Sequence, residues 1–368
     1  MNKLEQYGHG GDLRTASEAY GYAPEAFLDY SSNMNPFGPP AAVRAVIGAY
    51  AQQIHCYPDP AVRELRRRLA LHHGIGEEHI LVGNGAAELI DLAVRWLRPA
   101  TTGLAVPCFA EYGDAVRKSG STAQHLSLLE SEGFRLDTVR LEASGLRPDL
   151  WLLGAPNNPT GQLLDRSVIR GLLERGDQLI LDEAFMDFVP AAADYSWVRE
   201  AAGSDQLLVI RSMTKFYAIP GIRLGYIVGS PSRIGALREL QVPWSVNSLA
   251  ERIGCAVLAD EAYARRTLQW LAEERPWFTA GLQALGFRVY DSAANYVLVR
   301  MPEAWRLQVS QLQDTLGRQG VLIRNASTYV GLKEGYFRLA VRLREENERL
   351  LRHLAEAIHK LAERSEEG

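Results

Sequence analysis

The stretch LWLLGAPNNPTGQLLDRSVIRGLLERGDQLILDEAF, residues 150–185, carries the pattern on which the architecture can be read. It opens on a short apolar run that stops in a cluster of Gly, Pro and Asn. A helical segment follows, RSVIRGLLERG, whose last glycine suits a helix C-terminus. A second apolar run, QLILDEA at 178–184, comes next. Strand, helix, strand, with both strands apolar throughout, predicts parallel neighbours covered on both faces. The same rhythm runs from about residue 45 to 260, through ILVGN at 80–84, GLAVP at 103–107, LLVIRS at 207–212 and YIVGS at 226–230. ELIDLAVRWL supplies another helix pattern between the first two of these. The reading is an α/β fold built on a mostly parallel sheet with helices on both faces.

The texture changes on either side of that region. Residues 1–44 are rich in Gly, Pro and Asn (HGG, SSNMNPFGPP) and read as an arm with turns. After residue 260 comes a long helical stretch, interrupted at Pro276, and then strands at FRVYD, NYVLVR, VLIRN and FRLAVR. The tail places Leu350, Leu354, Ile358 and Leu361 on one helical face. We therefore expect a large unit at 45–260 and a smaller α+β unit formed by 261–368 with the arm 1–44.

Totals narrow the function. The 368 residues carry a net charge of −4, with 47% hydrophobic and 23% charged residues, as in ordinary globular proteins. That balance gives no electrostatic case for nucleic acid. Three scattered cysteines form neither a disulfide framework nor a metal spacing, and the histidines lack a two-ligand helical spacing. No apolar run approaches the roughly 20 residues that span a bilayer. No metal and a cytoplasmic setting are expected.

Chemistry is expected beyond the C-terminal ends of the parallel strands. Asp182 ends LILD there, Asn158 sits in GAPNNPTG, and GNGAAE at 83–88 puts small residues ahead of a helix whose free N–H groups suit an anion. The third glycine of a dinucleotide fingerprint is replaced by Glu88, which argues against a nicotinamide and leaves a single phosphate. In RSMTKFYAIPGIRLGY, residues 211–226, Lys215 stands in an apolar setting, with Ser212 three residues before it and Arg223 eight after it. Alone, each has a plain structural reading: a helix cap, a turn, a solvated lysine. Together, an amine, a buried acid, an amide donor and a phosphate cradle describe pyridoxal 5′-phosphate.

NNPTG, DEAF, SMTK and GIRLGY, in this order, resemble the fold-type I aminotransferase superfamily over essentially the whole chain. The resemblance implies a large domain with a mixed, mostly parallel sheet and a homodimer with shared active sites. It makes Lys215 the Schiff-base lysine, Asp182 the partner of the pyridine nitrogen and Asn158 the contact to the ring oxygen. Ser212, Arg223 and the backbone at Gly85, Ala86 and Ala87 would bind the phosphate, and Phe109 would stack on the ring. Tyr57 would reach the neighbouring subunit's cofactor.

Two branches of the superfamily compete, histidinol-phosphate aminotransferases and the threonine-phosphate decarboxylases of cobalamin synthesis. HGGDLR, DYSSNMNPFGPP, FAEYGDAV, TKFYAIPGIRLGY, VPWSVNSLA and FRLAVR resemble the second. So do Phe185, where transaminases usually carry tyrosine, and Arg342, where they carry glycine. Substrate contacts are expected from His9, Asn33, Arg324, Arg338 and Arg342. Arg338 and Arg342 would converge if they shared a strand face; a surface pair between Arg342 and Glu345 or Glu346 is the alternative. The implied reaction is decarboxylation of O-phospho-L-threonine. A reading of another class is a cofactor-binding regulatory module without turnover.

Overall fold

A computed structural model describes Leu4 and residues 10–366. Its centre is a seven-stranded sheet. In spatial order the strands are Ile80–Gly83, Gly225–Val228, Leu207–Ser212, Gln178–Asp182, Leu150–Gly154, Thr101–Val106 and Thr122–Ser127. Gly225–Val228 runs antiparallel to both neighbours, and the other pairings are parallel. The sheet is therefore mixed and mostly parallel. Its middle strands are buried end to end, as a sheet covered on both faces requires. The helix over Arg166–Glu174 starts on Asp165, whose carboxylate accepts from the Ser167 amide. It stops at Gly176, where φ is +85°.

The strand Thr122–Ser127 (TAQHLS) went unforeseen because it is an edge strand and mostly exposed. Burial on one side only removed the apolar run that marks its neighbours. In the arm, the helix Leu13–Tyr20 is a second omission. Asp12 caps it by accepting from both the amide and the hydroxyl of Thr15.

Pro276 does not interrupt its helix, which runs unbroken over Glu261–Ala284. Leu271, Phe278 and Leu282 stay buried along one face, and that packing offsets the missing N–H. VLIRN is likewise two short strands rather than one. Val321–Leu322 pairs in parallel with Leu28–Asp29 of the arm. Arg324–Asn325 joins an antiparallel sheet with Tyr336–Ala340, Tyr296–Arg300 and Arg288–Val289. The arm thus lies against the chain's C-terminal part. The helix Arg344–Glu366 closes the fold, with Leu350, Leu354 and Leu361 buried and Ile358 half-buried.

Candidate active site

Three central strands end at one rim, and each delivers one chemical group. Gln178–Asp182 ends on one acid and a second follows at once, and the two point opposite ways, as the period of a strand requires. Glu183 turns into the core, where it pairs with Arg211 at 3.0 Å and accepts from Ser196 and the Trp197 amide. Asp182 instead lines a cleft of about 200 Å³. Its carboxylate accepts from the Tyr112 hydroxyl at 2.7 Å and the Ala184 amide at 3.0 Å. Burial raises its pKa, and those two hydrogen bonds work against the rise.

Lys215 follows the strand Leu207–Ser212 and lines the same cleft. Burial first, then the charges of Arg338 and Arg223, lower its pKa to about 8. An amine so placed is a nucleophile near neutral pH. We expect the cofactor-free protein to form an imine with an added aldehyde at a rate that rises through about pH 8 and then levels. A rate still climbing at pH 10, as for a solvated lysine, would contradict this.

An anion cradle lies beside Lys215. The helix Ala86–Leu97 begins without a side-chain cap, so its first N–H groups are free for a ligand. Gly85 holds φ at +90°, and a Cβ there would stand 2.5 Å from the Arg223 guanidinium. The cradle thus admits only glycine at this position. Arg223 itself is left-handed, φ +57°, a conformation that costs about 1–3 kcal/mol and is typical of sites. Ala86, Ala87 and Ser212 line the cleft, and the Ser212 hydroxyl lies 2.9 Å from that of Thr214.

In the same cleft, Arg324 and Arg338 face each other across an antiparallel pair, both under 6% exposed and both lining it. Like charges directly opposite on adjacent strands repel, so a bound anion stabilises the pair. Arg338 donates to Asn158 Oδ1 and to the Ser31 carbonyl, each at 2.7 Å. That holds the Asn158 amide in a fixed orientation.

Arg342 takes another place. The strand of Arg338 ends at Ala340, so the two do not share a face of it. Arg342 lies outside the cleft lining, pairs with Glu346 at 2.6 Å and donates to the Asp29 carbonyl. The convergent pair expected of Arg338 and Arg342 is made by Arg338 and Arg324. Asn33 and Phe109 line the cleft, as does Phe185. Tyr57 does not: it is 83% exposed, against Trp244 at 5.3 Å. His9 lies outside the described residues. Tyr112, Thr214 and Tyr329 are cleft residues that the sequence reading gave no role. Tyr112 stands three residues past Phe109, the extended residue that precedes its helix, and the two rings meet edge to face at 5.7 Å; that spacing was the available signal.

The description of the aminotransferase class I and II family matches residues 25–354, and the chain belongs to this family. A threonine-phosphate decarboxylase of Salmonella typhimurium is 39% identical, over 96% of this chain and 97% of that protein. Among solved structures, the histidinol-phosphate aminotransferase of Clostridium acetobutylicum is 30% identical, with a TM-score of 0.83 over 90% of this chain and 99% of that one. The L-threonine-O-3-phosphate decarboxylase of Porphyromonas gingivalis is 26% identical, with a TM-score of 0.77 over 88% and 97%.

Proposed function

We propose that this chain is a pyridoxal-phosphate-dependent decarboxylase that converts O-phospho-L-threonine to (R)-1-amino-2-propanol phosphate and carbon dioxide in cobalamin synthesis. The observation that carries the reading is the juxtaposition in one cleft of a buried amine, a buried carboxylate and two facing arginines. The likeness to the Salmonella enzyme supports it.

The residues present fit the cofactor. The bare Gly85, the uncapped helix, Ser212 and Arg223 suit its phosphate, Asp182 its pyridine nitrogen, Asn158 its ring oxygen, Phe109 its ring face and Lys215 its aldehyde. When bound, pyridoxal phosphate supplies a sink for the electron pair released as a bond at the substrate's α-carbon breaks. Asp182 keeps a negative charge facing the ring nitrogen. Arg324 and Arg338 hold the substrate's anionic groups and spend that binding on orientation, so that the carboxylate stands where its bond can break. Lys215 Nζ returns a proton to the α-carbon once carbon dioxide has left. Phe185 offers the ring no phenol, which removes one hydrogen bond that tyrosine would make there.

In this reading residues 45–260 bind the cofactor, and Asn33 of the arm with Arg324 and Arg338 of the C-terminal part complete the cleft lining. The active protein is a cytoplasmic homodimer, and Tyr57 serves the neighbouring subunit. Its exposure beside Trp244, itself 50% exposed, suits a surface that a second copy covers.

O-Phospho-L-threonine deuterated at the α-carbon separates the two branches. Decarboxylation leaves that bond intact, so the amine product keeps the deuterium. No such product, with transfer of the amino group of histidinol phosphate to 2-oxoglutarate, would make the chain a transaminase of histidinol-phosphate type. Cofactor binding with no turnover of either kind would favour the regulatory module.

A further inference from the structure

Tyr112 plays no part in the chemistry above, yet it is fully enclosed on the helix Ala110–Lys118, and its hydroxyl meets Asp182 Oδ2 at 2.7 Å. A tyrosine hydroxyl buried in a core needs a partner, and the one it has is the acid of the site. A second feature points the same way. Gly154 has an ordinary backbone, so no left-handed turn explains it, but a Cβ there would stand 2.9 Å from the Tyr112 hydroxyl. It would also press on Asn157, at 3.2 Å from its Cα. The end of a central strand is thus bare where the hydroxyl passes. Gly154 pairs with Asp182 in register, which puts hydroxyl, bare backbone and carboxylate side by side.

We infer that Tyr112 is a positioning residue: its hydroxyl, accommodated by Gly154, fixes the Asp182 carboxylate and holds its charge toward the cleft. With the Ala184 amide on Oδ1 and Tyr112 on Oδ2, each carboxylate oxygen has one protein donor and a further lone pair for the ligand. The direction of donation is fixed, because burial and the adjacent Asp182 charge push the Tyr112 hydroxyl well above its ordinary pKa. The other titratable groups near this pair are Cys108 and Tyr296. Burial raises both, Cys108 to about 12, so neither donates a competing charge near neutral pH. A donor to a carboxylate favours its charged form. Loss of the donor makes Asp182 the stronger base, and a proton shared with a ring nitrogen moves onto the carboxylate. This deepens the proposed function, and the part concerning the ring nitrogen rests on it.

The test is Tyr112→Phe, which keeps the ring and its packing. In cofactor-free protein the carboxyl ¹³C resonance of Asp182, assigned through Asp182→Asn, should titrate about one pH unit higher than in wild type, the scale of one lost hydrogen bond to a charge. This readout does not depend on which cofactor binds. An unchanged titration would overturn the inference, whatever the activity does. With ¹⁵N-labelled pyridoxal phosphate added, the ring nitrogen signal should move toward the unprotonated position, and kcat should fall about tenfold with KM within twofold. Failure of wild type to form an imine with the cofactor would refute the proposed function and leave the Asp182 titration to decide the role of Tyr112. A Phe variant that unfolds would be replaced by Gly154→Ala, whose methyl group meets the hydroxyl; the same upward shift of Asp182 is expected, and its absence in a folded variant overturns the proposal.

Discussion

Lys215→Ala should lower turnover by about 10⁴-fold or more and remove the imine absorbance of the pyridoxal-phosphate-loaded protein. No other described amine lines the cleft, so nothing replaces it. The variant should not be less stable than wild type near pH 7. The amine titrates at about 8 in the fold against an ordinary 10.5, so the unfolded chain binds more protons between those values. Stability therefore rises with pH across that window, and below it the full cost of the buried charge stands, roughly 3 kcal/mol. Removing the amine lifts that cost. Denaturant unfolding of cofactor-free protein at pH 7 checks the stability, and absorbance with turnover checks the chemistry. A variant that keeps its imine absorbance would show that another residue anchors the cofactor.

Asp182→Asn should slow turnover by about a thousandfold, the loss of close to 4 kcal/mol of electrostatic stabilisation in an enclosed site. Asparagine keeps the shape and loses the charge. Cofactor retention should change far less, because Lys215 and the cradle of Gly85, Ser212 and Arg223 are untouched. Here too the sign for stability is opposite to that for activity. Burial raises the Asp182 pKa, so the folded state holds its proton more tightly than the unfolded chain does. Stability from this group is present at low pH and lost as pH rises past the ordinary value of 3.8. At pH 7 the cofactor-free Asn variant should be at least as stable as wild type. A variant with unimpaired kcat would mean that Asp182 does not act on the ring nitrogen.

The large sheet was legible because its central strands are buried on both faces and so carry continuous apolar runs. Thr122–Ser127 was not, because an exposed edge strand has no such run. The cleft residues on strand ends, Asp182 and Ser212, could be placed from the chain alone, since the ends of parallel strands share a rim. Arg338 and Arg342 show where that reasoning stops. Spacing of four puts residues on one face only while the strand lasts, and it ends at Ala340. The partner of Arg338 is Arg324, distant in sequence and opposite in register, and only the pairing of strands discloses it. Tyr112 was hidden for a similar reason. Its role depends on an acid 70 residues away and on the bare backbone of Gly154.

Release of carbon dioxide is the direct test of decarboxylation. The protein would be loaded with pyridoxal phosphate and given O-phospho-L-threonine labelled in its carboxyl group, with no keto acid present. Catalytic release of labelled carbon dioxide is expected, many turnovers per site, with 1-amino-2-propanol phosphate left behind. No release under these conditions, from protein whose Lys215 imine is formed, would contradict the proposed decarboxylation.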